Sequence, residues 1–151
     1  MEVAMVQIHT RNFGDIEISD DKILEFPSGV PGFPDSKRYA LIADPDDLEN
    51  ESESFYWLQS LDETDVVFCL IDLHKFLPDY DPLVDEGEIA CLSPYGPEEL
   101  LVYNIVVIPE NPSEMTVNMK APIVINPNTK TGIQTICQNE DYAVKYRLFN
   151  Q

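Results

Sequence analysis

The sequence predicts an all-β fold: a small antiparallel β-barrel-like single domain over residues 1–151, with at most one short helix. Three observations predict it. From Met115 the chain alternates with period two: Met115, Val117, Met119, Ala121, Ile123 and Ile125 share one face, while Glu114, Thr116, Asn118, Lys120 and Asn126 share the other. Leu101 to Ile108 is apolar on both faces except at Asn104, the pattern of a strand covered on both sides. Turn chemistry punctuates the rest at the spacing of a sandwich or barrel, giving roughly eight or nine short strands. Closure into a barrel is favoured because it removes exposed strand edges.

The elements follow in order. Val3 to Thr10 and Asp15 to Ile18 form a hairpin through Asn12, Phe13 and Gly14. Ile23 to Phe26 is extended and runs into Pro27-Ser28-Gly29-Val30-Pro31-Gly32-Phe33-Pro34. Prolines stiffen this loop, glycines turn it, and its apolar residues pack it onto the core. Arg38 to Ala43 is a strand. Asp44 to Ser54, DPDDLENESES, has no apolar period and is a solvated loop. Phe55 to Leu61 and Val66 to Leu73 form a second hairpin. Asp81 to Leu92 carries Leu83, Val84, Ile89 and Leu92 on a loose stripe and is the place for the short helix, although Gly87 weakens it. Pro122 cannot donate to a ladder and marks an edge, bulge or bend in the long strand that begins at Met115. Ile133 to Cys137 is a return strand, and Tyr142 to Leu148 alternates again.

With 44% hydrophobic residues in 151, the chain has enough apolar material for one core. No apolar run reaches membrane-spanning length and the N-terminus lacks a secretory pattern, so a cytoplasmic protein is expected. Cys69, Cys91 and Cys137 are odd in number and widely spaced, which reads as buried free thiols. The net charge is −19, and residues 1–119 alone carry −21 against +2 for residues 120–151. Such a surface repels phosphate backbones and argues against direct nucleic-acid binding. It suits either a basic protein partner or solubility alone.

The search for chemistry finds no Gly-rich phosphate loop, no His-Glu-x-x-His and no Gly-x-Ser-x-Gly. His9 and His74 are isolated. Asp79, Asp81 and Asp85 resemble the start of a calcium loop, but Val84 stands where the turn glycine belongs and Ala90 where the bidentate glutamate belongs. No catalytic residue, cofactor or metal site is assigned. The remaining candidate is the loop Phe76, Leu77, Asp79, Tyr80 and Asp81. It reads either as a plug on one barrel end or as an apolar anchor with an acidic rim, suited to a basic amphipathic helix. Two function classes stay open: a protein-binding switch, and a carboxylate- or metal-assisted hydrolase on a small barrel.

Five blocks in one order carry a family resemblance: Phe13-Gly14-Asp15-Ile16-Glu17-Ile18; Phe26 through Phe33; Phe55-Tyr56-Trp57-Leu58-Gln59-Ser60; Phe76-Leu77-Pro78-Asp79-Tyr80; and Met119 through Asn126. The chain resembles the flagellar assembly factor FliW family. It departs from the family in the longer acidic loop at Asp44 to Ser54 and in a less helical Leu83 to Leu92. The resemblance implies a cytoplasmic, non-enzymatic regulator, a chaperone-like partner of newly made flagellin. In the absence of flagellin such a factor binds the translational repressor CsrA and relieves repression of the flagellin message, by an allosteric route. It implies no cofactor, no direct nucleic-acid contact and no membrane.

Overall fold

The computed structural model describes residues 5–10, 14–43 and 55–148. The acidic stretch Asp44 to Ser54 and the Asn12-Phe13 turn lie outside the described residues. The strands are β1 (Met5–Thr10), β2 (Gly14–Ser19), β3 (Ile23–Glu25), β4 (Arg38–Ala43), β5 (Phe55–Ser60), β6 (Val67–Ile71), β7 (Leu101–Val107), β8 (Thr116–Val117), β9 (Ile123–Asn126), β10 (Thr131–Gln134) and β11 (Tyr146–Arg147). Strands β7, β6, β5, β4, β3, β10 and β9 pair in that order and β9 returns to β7, which closes a seven-strand barrel. Every pairing in it is antiparallel except β3 with β10, which meet in parallel at Glu25 and Thr131.

Alternation decides what enters the barrel. Leu24 and Phe26, Tyr39 and Leu41, Tyr56 and Leu58, Phe68 and Leu70, Tyr103 and Ile105, Ile123 and Ile125 form the inner cluster. Edge-to-face ring pairs lock it: Phe26 on Tyr39 at 5.1 Å, Tyr56 on Tyr103 at 5.0 Å. The proline-rich loop packs down as its composition predicts, with Val30 in the core and the Phe33 ring 5.6 Å from Phe68. It turns at Gly29, where φ is +69° and an added Cβ would lie 2.7 Å from the Phe33 carbonyl. On β10, Gly132 leaves room for Phe26, whose ring would sit 2.5 Å from a Cβ there.

Three further clusters cover the outside of the barrel wall. The β1–β2 hairpin lays Ile8 and Ile18 over Ala40, on the opposite face of β4 from Tyr39. Ile89 and Leu92 cover Val124, and this explains an apolar residue on what the sequence marks as the polar face of β9. The largest outer cluster joins Cys69, Ile71, Leu73, Tyr80, Val106, Met115, Val117, Met119 and Leu148. Strand β7 therefore lies between two cores, as its apolar run predicts. Its one polar residue, Asn104, is fully buried and donates to Tyr80 Oη at 2.9 Å and to the Asn118 carbonyl at 2.9 Å.

Several expectations are revised. The strand that begins at Met115 breaks into β8 and β9. The Asn118 side chain accepts from the amides of Lys120 and Ala121, an Asx turn that bends the chain just before Pro122. Opposite β7, Val106 faces Val117 and Tyr103 faces Ile123, so the bend inserts extra residues on one side only. No α-helix forms in Asp81 to Glu99; single 3₁₀ turns at Ala90–Leu92 and Pro97–Glu99 take its place. The Tyr142 to Leu148 strand shortens to β11. Cys69 and Cys137 are buried and outside any disulfide, whereas Cys91 is exposed.

Candidate functional site

Between β6 and β7 the chain runs from residue 72 to 100 without a strand. Four apolar residues pin it: Leu73 and Leu92 at 0%, Tyr80 at 3% and Ile89 at 6% exposure. A segment without a ladder still has to satisfy its backbone, and this one does so against residues 138–142. The Gln138 amide donates to the Leu83 carbonyl at 2.7 Å and the Leu83 amide to Asn139 Oδ1 at 2.7 Å. Asn139 Nδ2 donates to the Asp81 carbonyl at 3.1 Å, and the Asp81 amide to Tyr142 Oη at 2.9 Å. Further along, Thr135 Oγ1 donates to the Glu88 carboxylate.

This pinning sorts the predicted loop by residue. Tyr80 points inward: its hydroxyl donates to the Met119 carbonyl at 2.7 Å and its ring lies against Tyr142 at 5.1 Å, tilted by 33°. Burial pushes its phenol well above the ordinary range, against the opposing pull of the Asn104 hydrogen bond. Phe76 and Leu77 are half-buried against the same cluster, with the Phe76 ring 6.3 Å from Phe55. Asp79 and Asp81 stay at the surface. The aromatic part of the loop thus packs against the outer wall of the barrel, and its carboxylates face solvent.

The carboxylates continue along the segment as Asp85, Glu86 and Glu88, all exposed. Among the described residues none of these five is in an ion pair; the pairs present are His9 with Asp15, Arg38 with Asp62 and His74 with Asp72. Beside them Leu83 is 53% and Ile136 63% exposed. Ile136 borders an open groove of about 490 Å³ whose wall includes Pro31, Glu88, Ala121, Ile133 and Gln134. An apolar groove with acid on its rim fits a segment that offers an apolar side chain flanked by lysine or arginine. Pattern reading does not reveal Leu83 and Ile136: Leu83 fits the apolar stripe of a helix that does not form, and Ile136 lies just past the end of β10. The signal for Ile136 was its place out of phase with Ile133 and Cys137.

No group of three or more His, Cys, Asp or Glu residues is placed to hold a metal ion among the described residues. A crystal structure of the flagellar assembly factor FliW superposes on this chain with a TM-score of 0.85 at 33% identity, covering 97% of this chain and 99% of that one. The FliW protein family model matches residues 7–148. The flagellar assembly factor FliW of Thermoanaerobacter pseudethanolicus is 40% identical over 146 residues, 97% of this chain and 95% of the relative. That of Leptospira interrogans is 39% identical over 145 residues, 95% of this chain and 93% of the relative. The chain belongs to the FliW family.

Proposed function

We propose that the chain serves flagellar assembly by holding partner proteins at this acidic edge, in the cytoplasm and without catalysis. The partners are flagellin and, when flagellin is absent, the translational repressor CsrA; holding CsrA relieves repression of flagellin translation. The observation that supports the reading is the run of five exposed carboxylates, none in an ion pair among the described residues, beside exposed Leu83 and Ile136. Charge steers a basic partner to the edge and the apolar side chains hold it there. Asp79 and Asp81 act in this reading as surface contacts, while Phe76, Leu77 and Tyr80 shape the segment from beneath. Direct RNA binding has no part in it, since a chain of net charge −19 repels phosphate.

The test is titration of purified flagellin and purified CsrA into the wild type and into an Asp81→Lys, Glu86→Lys variant. Both substitutions are at exposed positions, so folding is retained. Affinity should fall at least tenfold for one or both partners, and wild-type binding should weaken without vanishing as salt shortens the screening length to below about 10 Å. Unchanged affinity in the variant would remove the acidic edge from the reading.

A further inference from the structure

The small flap outside the barrel has the opposite charge character. Strand β8 pairs with the second half of β7, and β11 pairs with β8, so Val107, Thr116 and Arg147 form one cross-strand row. The neighbouring positions Val106, Val117 and Tyr146 turn into the outer core, which leaves that row facing out. Val107 is 61% and Ile108 45% exposed. With Pro109, Glu114 and Lys145 the row lines an open groove of about 390 Å³. Two of the chain's nine basic residues meet there, and among the described residues neither is in an ion pair. Arg147 Nε is buried and has no hydrogen-bond partner.

The flap also ends in an open edge. Among the described residues β11 pairs only with β8. The Leu148 amide donates to the Met115 carbonyl at 3.2 Å, so by the alternation of an antiparallel ladder the backbone groups of Arg147 point away from β8. An unpaired edge accepts an added strand.

We propose that the β11 edge is a second docking site, which takes an extended acidic segment of a partner protein as an added strand. The backbone of that segment would pair with Arg147. Its carboxylates would meet Arg147 and Lys145, which share the outward face of β11. A second copy of this chain pairing through the same edge is disfavoured, because β11 against β11 sets Lys145 and Arg147 of one copy against those of the other. The single carboxylate of Glu114 leaves the groove with one excess positive charge. This inference is independent of the acidic edge proposed above.

The test uses the full chain, isotope-labelled, with two synthetic peptides as probes: acetyl-TEVEVTS-amide and acetyl-TKVKVTS-amide. The acidic peptide should shift the amides of residues 144–147, bind at least tenfold tighter than the lysine peptide, and weaken as salt rises. Lys145→Glu, at an exposed position, should lower its affinity at least tenfold with an unchanged melting curve, and Arg147→Gln should do the same in the folded fraction. Equal binding of both peptides, wild-type affinity in Lys145→Glu, or shifts confined to the groove at Ile133 and Ile136 would overturn the proposal. So would concentration-dependent dimerisation lost in Lys145→Glu without peptide binding, which would assign the edge to a second copy.

Discussion

Replacing Tyr80 by phenylalanine separates a packing role from a partner contact, because only the hydroxyl is lost. That hydroxyl donates to the Met119 carbonyl at 2.7 Å and accepts from Asn104 Nδ2 at 2.9 Å. Asn104 keeps its bond to the Asn118 carbonyl, so its amide is only partly orphaned. The Met119 carbonyl keeps the Cys137 thiol at 3.7 Å, a weak donor. A buried group deprived of its partner costs about 1–3 kcal/mol. Taking about 2 kcal/mol, at roughly 2–4 °C per kcal/mol for a chain near this length, Tyr80→Phe should melt about 4–8 °C lower. Tyr80→Ala adds a ring-sized cavity and should cost about 3–5 kcal/mol. Circular dichroism melts and urea titrations measure both, and calorimetric titration of flagellin and CsrA measures binding by the folded fraction. A Tyr80→Phe protein that melts with the wild type but binds the proposed partners markedly less well would refute the inward role given to this side chain.

Three further perturbations test the packing and its pH dependence. Gly132→Ala forces a methyl toward the Phe26 ring and should destabilise by about 1–3 kcal/mol, the usual cost of overpacking, seen as a lower urea midpoint. Burial holds the Tyr39 and Tyr80 phenols above their ordinary value and pushes Tyr103 up to about 12. A phenol whose pKa is raised on folding contributes stability that is intact below about 10, its unfolded value, and lost as pH rises through the folded value. The melting temperature should therefore fall steeply above pH 10, and Tyr103→Phe should flatten that limb between pH 10 and 12; an unchanged limb would contradict the assignment. Asp62 runs the other way: burial raises its pKa, but the Lys37 and Arg38 amides and the Arg38 side chain together outweigh it and the net value is lowered. Its contribution is present above about pH 3.9 and lost as pH falls through the lower folded value, so Asp62→Asn should be less stable at pH 7 yet lose less than the wild type between pH 4 and 2.

Strand positions were legible because period two survives in a barrel: β4, β5 and β7 fall within a residue of their predicted ranges. Burial of β7 on both faces was legible for the same reason, since an apolar run broken only by Asn104 has no solvated side. The Asn118 bend was less so, because an Asx turn depends on one side chain reaching two amides and leaves no periodic trace. The segment after β6 misled most. Leu83, Val84, Ile89 and Leu92 fit a helical stripe, but the backbone of Leu83 is satisfied by Gln138 and Asn139, far along the chain. Tyr80 looked equally suited to an interface or a core, because a large ring with a polar tip serves both; the buried Met119 carbonyl and Asn104 amide that its hydroxyl meets are brought there by strands distant in sequence. The acidic character of Asp79 and Asp81 was plain from composition, whereas the exposure of Leu83 and Ile136 beside them emerged only from the fold.

The most direct test of the account is the affinity of a Leu83→Glu, Ile136→Glu variant for purified flagellin and purified CsrA, read beside its melting curve. Both side chains are more than half exposed, so the fold should hold and the melting temperature should stay with that of the wild type. The account predicts at least a tenfold loss of affinity for one or both partners, because the apolar anchor is replaced by charge of the same sign as the rim. A variant that melts like the wild type and binds both partners with unchanged affinity would contradict it.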